Sequence, residues 1–118
     1  MDYYILDTVE EVNAKAVELI LKDEYDFIAL YNDNYDSLMH KFAPESIEAL
    51  SELRANVETY AMLDVLIADH WKKHNTLMGF AMDHGCHEID GQAGSHGLDM
   101  PEDLNIVHRY KGYARGKV

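Results

Sequence analysis

The chain has 118 residues, of which 47% are hydrophobic, and it carries 22 Asp and Glu against 10 Lys and Arg, a formal net charge of −12. This length predicts a single domain over residues 1–118, since a second hydrophobic core would be too small to be stable. The composition excludes wholesale disorder. The negative charge disfavours direct binding to nucleic acid or to anionic membranes, because affinity for phosphate comes mainly from Lys and Arg.

The sequence also bears on the cellular compartment. Its start, Met1-Asp2-Tyr3-Tyr4-Ile5, has no basic region, and no apolar run approaches the roughly 18 residues of a membrane span. Cys86 is the only cysteine, so an internal disulfide is excluded. We therefore expect a cytoplasmic protein.

The first predicted elements are a short strand at residues 3–6 and a helix at about 8–22. Residues 3–6 are aromatic or aliphatic and precede a polar pair. Thr8 and Glu11 have the spacing of a capping box, in which each side chain binds the other residue's backbone amide. One apolar helical face follows: Val9, Val12, Ala16 and Ile20.

Residues 23–43 are consistent with two interpretations. Residues 27–31 fit a buried strand, whereas apolar residues from Tyr25 to Phe42 keep helical spacing. Because Asn32-Asp33-Asn34 is a turn signal, we favour a short strand, the turn and a short helix that ends before Pro44.

The longest predicted helix covers about 44–74. Pro44 suits a first helical position, and neither glycine nor proline recurs before Gly79. Leucine, valine and isoleucine recur at three-and-four spacing along it. The stretch 61–68 is apolar nearly all round, so we expect it to be mostly buried.

The last third predicts a short helix at about 76–84, a long glycine-rich loop at 85–101 and a strand at 105–110 beside residues 3–6. A basic tail covers about 109–118, with Arg109, Lys111, Arg115 and Lys117. The predicted fold class is α+β, with a long central helix and shorter helices packed beside a small antiparallel sheet.

Histidines cluster in the same third of the chain. Imidazole and thiolate are good ligands for zinc and similar transition metals, and His70 and His74 have the i, i+4 spacing that can present two ligands on one helix face. The candidate metal ligands are His70, His74, His84, Cys86 and His87. Imidazole in general titrates near neutrality and can act as a general acid or base, so a histidine-based enzyme with its site at residues 83–97 is an alternative hypothesis.

Carboxylates cluster in the first half of the chain. Glu45, Glu48 and Glu52 recur at helical spacing, about 4.5–6 Å apart along the axis, a scale comparable to that of the phosphates along a DNA strand. The predicted partner-binding residues are Glu24, Asp26, Asp33, Asp36, Glu45, Glu48 and Glu52.

In size and acidity the chain resembles DNA-mimic proteins, which include inhibitors of restriction and CRISPR systems and mimics that bind nucleoid proteins. The resemblance implies an acidic protein that occupies the nucleic-acid-binding surface of a basic partner, such as a histone-like nucleoid protein, a nuclease, or a restriction or CRISPR component. It implies no cofactor and no enzymatic activity. The alternative is the metal-dependent or histidine-based enzyme described above, with zinc or a similar transition metal as cofactor.

Overall fold

The computed structural model describes residues 1–116. Its elements, in chain order, are α1 (Val9–Lys22), α2 (Asn34–Phe42), α3 (Ile47–His70), β1 (Thr76–Ala81), β2 (His87–Ile89), β3 (Ala93–Ser95), α4 (Pro101–Leu104) and β4 (His108–Tyr113). The predicted α+β class, with one long helix, shorter helices and small antiparallel sheets, is confirmed. None of the helices within residues 1–116 combines the length and the apolar character that crossing a membrane requires.

The starts of the two longer helices follow from their capping residues. Thr8 Oγ1 accepts a hydrogen bond from the Glu11 amide at 3.2 Å, and Glu11 Oε2 accepts one from the Thr8 amide at 3.2 Å. This is the predicted capping box. Ser46 Oγ accepts from the Ala49 amide at 3.1 Å, so α3 begins three residues after Pro44. Both caps satisfy amides that the first helical turn leaves unpaired.

The core is small and lies where α1 crosses the C-terminal half of α3. Ile20, Leu63 and Ile67 are its buried members, and partly buried residues such as Trp71 and Met78 pack around them. Trp71 Nε1 donates a hydrogen bond to the Ile20 carbonyl at 2.9 Å, which fixes the end of α1 against the end of α3. The described residues span 57 × 28 × 27 Å, so the molecule is elongated.

The prediction that residues 61–68 are mostly buried is wrong. Leu63 and Ile67 are buried, but Met62 is 43% exposed and Val65 is 62% exposed. The neighbouring elements cover only one side of α3, because the sheet and α1 both pack on its Leu63 and Ile67 face. This part of α3 is therefore an ordinary amphipathic helix.

The C-terminal third differs most from the prediction. Residues 76–81 form β1 rather than a helix, and β1 pairs antiparallel with β4 from Thr76 opposite Tyr113 to Ala81 opposite His108. Because β4 uses β1 as its partner, residues 3–6 form no strand, and Ile5 remains 82% exposed. Residues 27–31 likewise form no strand ladder. The helix predicted to end before Pro44 is confirmed as α2.

The predicted loop 85–101 contains a hairpin. Strands β2 and β3 pair from His87 opposite Ser95 to Ile89 opposite Ala93. The turn passes through Asp90 and Gly91, both with positive φ (50° and 71°), the conformation that an Asp-Gly pair favours in hairpins. The predicted basic tail begins inside β4, and its last two residues, Lys117 and Val118, lie outside the described residues.

Candidate metal centre

One side-chain cluster stands out: Asp36, His40, His84 and His96. Asp36 and His40 come from α2, four residues apart and therefore on one face of the helix. His84 precedes β2, and His96 follows β3 directly. Because β2 and β3 pair antiparallel, the two chain segments that flank the hairpin arrive together beside α2.

A close backbone contact holds the hairpin against α2. His40 Nδ1 donates a hydrogen bond to the Gly94 carbonyl at 2.9 Å, since a carbonyl can only accept. A Cβ atom at Gly94 would lie 2.3 Å from the Met39 carbonyl oxygen and 2.9 Å from Cys86 Sγ. Only glycine therefore lets β3 approach the end of α2 this closely.

The two hairpin histidines stack on each other. The rings of His84 and His96 have centroids 3.6 Å apart and an interplanar angle of 22°. His84 Nδ1 donates to the Gly85 carbonyl at 2.8 Å, so its other ring nitrogen is left for a further partner. The His40 ring lies 4.8 Å from the His96 ring. Three imidazole rings therefore lie close to the Asp36 carboxylate.

The Nε2 atoms of all three imidazoles converge on the Asp36 carboxylate. Nε2 of His40 lies 3.5 Å from Asp36 Oδ2, and Nε2 of His96 lies 3.5 Å from Oδ1. Nε2 of His84 lies 3.8 Å from Oδ1. These distances exceed the ~2.7–3.2 Å of an ordinary N–H···O hydrogen bond. Asp36 Oδ1 is buried and has no hydrogen-bond partner within residues 1–116.

The two separations of 3.5 Å are close to those between ligands of one ion. Ligand atoms bound tetrahedrally at about 2.0–2.2 Å lie about 3.4 Å from one another. Asp36, His40 and His96 each offer a ligand atom within 4.8 Å of the others'. Two imidazoles and one carboxylate are a ligand set of catalytic zinc sites and of non-haem iron sites.

The structure distributes the predicted metal ligands over several places. His84 joins the cluster, but His70 and His74 do not belong to the Asp36, His40 and His96 group. His70 is exposed at the end of α3, and His74 Nε2 binds the Asp23 carboxylate at 2.8 Å.

Cys86 and His87 lie beside the cluster with other partners. Burial, and then the negative charge of Asp36, raise the pKa of the Cys86 thiol, so this side chain is a neutral thiol rather than a ready nucleophile or ligand.

His87 Nδ1 donates to Asp103 Oδ1 at 2.8 Å. Asp103, the one buried charged residue in the described chain, also accepts from the Leu98 amide at 2.9 Å. Burial opposes ionisation of Asp103, but these hydrogen bonds outweigh it and lower the pKa of the carboxyl.

Sequence reasoning missed His40 and His96 as ligands and assigned Asp36 to a partner-binding surface. A usable signal was present, because Asp36-x-x-x-His40 places a carboxylate and an imidazole on one turn of a predicted helix. What the sequence could not supply was the return of the hairpin to α2.

The predicted partner-binding carboxylates have different environments. Glu24, Asp26, Asp33, Glu45 and Glu48 are exposed, and none of the five forms an ion pair with Lys, Arg or His within residues 1–116. Glu52 is half-buried and accepts a hydrogen bond from Asn34 Nδ2 at 2.6 Å. Glu45 precedes the Ser46 cap, so it lies just outside α3.

Comparisons with protein-family models, with curated proteins and with solved structures give no match to this chain, so the functional argument rests on the geometry of its own residues.

Proposed function

We propose that this protein binds a divalent transition-metal ion, of which zinc is the reference case, through Asp36, His40 and His96. The observation that carries the proposal is the convergence of imidazole Nε2 atoms on the half-buried Asp36 carboxylate at 3.5 Å. That distance is too long for a hydrogen bond and suits two ligands of one ion.

The tautomers of the His40 and His84 rings also support the proposal that a metal ion binds here. The Nδ1–H groups of His40 and His84 are bound to backbone carbonyls, so in the neutral rings the lone pair lies on Nε2, which faces Asp36. Backbone carbonyls play this role for metal-bound histidines in general, because they fix the tautomer and the orientation of the ring. A bound cation would also supply the missing partner of Asp36 Oδ1.

The ligand set favours a catalytic over a purely structural role. Three protein ligands leave a coordination position for water or substrate, whereas structural zinc sites are closed by four. Nε2 of His84 lies 3.8 Å from Asp36 Oδ1, close enough to act as a proton acceptor beside a bound water. This supports a metal-dependent enzyme whose site includes the segment 83–97.

Calorimetric titration of zinc into chelator-treated protein tests the proposal. We expect one ion per chain. Asp36→Asn, His40→Ala and His96→Ala should each lower the affinity by more than about 100-fold, because loss of even an outer-shell partner costs about 10–100-fold. His74→Ala is the matched control, since His74 is also paired with an aspartate but lies outside the cluster. Equal affinities for the parent and the three ligand variants would disprove the metal centre.

The second candidate function is recognition of a basic protein through the acidic surface. It is supported by the exposure of Glu24, Asp26, Asp33, Glu45 and Glu48 without cationic partners among residues 1–116. Carboxylates that are solvated and unpaired keep their charge for a partner, and their summed field speeds association with a basic surface.

Retention of a basic DNA-binding protein on the immobilised chain tests this candidate. We expect this binding to weaken steeply between low and physiological salt, because the screening length falls to about 8 Å. Duplex DNA should compete with the immobilised chain for the basic protein. Glu45→Gln combined with Glu48→Gln should weaken the binding of the basic protein, because both carboxylates are exposed. Salt-independent retention, or retention unchanged in the double variant, would exclude these residues as the recognition surface.

A further inference from the structure

A cavity of about 880 Å³ lies beside the cluster. The segment that joins α1 to α2 covers one side of it, and α3 and β1 form the others; Asp36 and His84 lie on its wall. Small-molecule sites typically have volumes of about 300–1,000 Å³, so the size suits a small ligand.

The wall of the cavity is aromatic and acidic. It includes eight aromatic side chains and five carboxylates but neither Lys nor Arg. The carboxylates are Asp23, Glu24, Asp26, Asp36 and Asp83. Aromatic faces and carboxylates both attract cations. Burial, and then the charges of Asp83, Asp36 and Asp33, raise the pKa of Tyr31 at this wall, and the same negative field favours a positively charged ligand.

The inner wall also carries hydrogen-bond acceptors that have no partner. Thr59 donates its single hydroxyl proton to the Ala55 carbonyl at 3.1 Å, so it must accept from Asn13 Nδ2. Asn13 Oδ1 therefore accepts from Asn32 Nδ2 at 2.9 Å. This relay fixes the orientation of the Asn32 amide and leaves its oxygen buried without a partner among the described residues.

Two further buried polar groups without partners lie on α3, an amide oxygen and a hydroxyl that can donate as well as accept. Asn56 Oδ1 and the Tyr60 hydroxyl are buried, and within residues 1–116 neither has a hydrogen-bond partner. They are four residues apart on one face of the helix, and both line the cavity with Asn32. Amide oxygens only accept, so the group that complements them is a donor.

We propose that this cavity binds a small organic amine in its cationic form, whose ammonium group donates to the amide oxygens of Asn32 and Asn56 while its apolar body packs against Leu63 and Ile67. An ammonium group has three donors and no acceptor, which matches a wall of orphan acceptors and carboxylates. Leu63 and Ile67 supply the apolar surface on the same wall. The inference goes beyond the metal proposal and does not depend on it.

Calorimetry on the full chain in the presence of a chelator tests the inference with three indole compounds of similar shape: tryptamine, tryptophol and indole-3-propionate. The amine should bind at least about tenfold more tightly than the alcohol, because a hydrogen bond from a charged donor is stronger than one from a neutral donor. The acid should not bind. Equal binding of amine and alcohol to the parental protein, or binding of none of the three compounds, would overturn the proposal.

Asn56→Leu then tests the position of the ammonium group. We expect it to weaken tryptamine at least about tenfold and to leave tryptophol less affected. Asn105→Leu is the matched control, since Asn105 is exposed and does not line the cavity. If Asn56→Leu proves unfolded by circular dichroism, Tyr60→Phe replaces it and should reduce the preference for the amine over the alcohol. Parental selectivity in a folded variant would overturn the assignment. Because the chelator removes metal ions, failure of the amine titration is distinguishable from failure of the zinc titration.

Discussion

Gly94 shows how one residue can position the side chains of a proposed metal site without contributing a ligand. Its missing side chain allows β3 to lie against the Met39 carbonyl, and its own carbonyl holds the His40 ring. The next proposed ligand, His96, follows two residues later. The distance between α2 and the hairpin therefore determines whether the ligands from the two segments meet.

We predict that Gly94→Ala lowers zinc affinity by about 10–100-fold, the range seen when supporting contacts of a metal site are removed. The added Cβ would meet the Met39 carbonyl at 2.3 Å, so β3 has to move away from α2. Zinc titration measures the effect. Gly112→Ala is the control, because a Cβ there would have no neighbour within 4 Å. Parental affinity in Gly94→Ala would mean that the ligands do not depend on this contact.

A second residue-scale prediction concerns Asp103 and acid stability. The pKa of its carboxyl is lowered in the folded state, despite burial, by hydrogen bonds from His87 and the Leu98 amide. A lowered pKa means that the carboxylate stabilises the fold fully above its unfolded value, about 3.9, and that this contribution is lost as the pH falls through the folded value.

Asp103→Asn should therefore unfold at lower urea concentration than the parent at pH 7, and the difference should shrink as the pH falls toward 3. Urea titrations at the two pH values measure it. Asp99→Asn, at a nearby exposed position, is the control. A difference that stays constant over this range would mean that the ionised carboxylate is not what stabilises the loop.

At the scale of elements, α3 has a narrow buried face and a broad exposed face. Ile67, 6% exposed, packs in the core with Leu63 and Ile20, whereas Val65 is 62% exposed on the same helix. We predict that Ile67→Ala lowers the free energy of unfolding by about 2–5 kcal/mol, through lost burial and the cavity left behind. Val65→Ala should change it by less than about 0.5 kcal/mol. Urea denaturation compares the two, and similar losses would contradict this packing.

The elements with local signals were predictable. The Thr8 capping box, the turn before α2 and the glycine-free run of α3 each identified a helix that the structure contains. Residues 76–81 were mistaken for a helix, because their strand conformation comes from pairing with β4, more than 25 positions away. The Asp90-Gly91 pair is a local hairpin signal that the prediction of a loop over 85–101 did not include. The cluster of Asp36, His40 and His96 depends on a tertiary contact between α2 and the hairpin, which a single sequence does not reveal.

At the scale of the whole molecule, charge opposes compaction. A formal net charge of −12 in 118 residues means that most carboxylates repel one another, and ion pairs such as Lys111 with Asp64 at 2.7 Å offset only part of this repulsion. Net charge far from zero destabilises the folded state through self-repulsion. The elongated shape, 57 Å along its longest axis, spreads these charges over more surface.

We predict that sodium chloride raises the urea midpoint of unfolding between about 10 and 150 mM, because the screening length falls from about 30 to about 8 Å. The Glu45→Gln and Glu48→Gln double variant should be less sensitive to salt, since two exposed charges are removed. A midpoint that falls as salt is added would show that attractive pairs, rather than repulsion, dominate the electrostatics.

The contact between His40 and Gly94 joins positions 54 apart in the chain, and this separation has a consequence for synthesis. A ribosome makes the chain from its N-terminus, so α2 emerges and can pack on α3 well before the hairpin exists. Asp36 and His40 can therefore lie on a formed helix before His96 has left the ribosome. A nascent chain offers all three proposed metal ligands together only after His96 has emerged and β2 and β3 have paired.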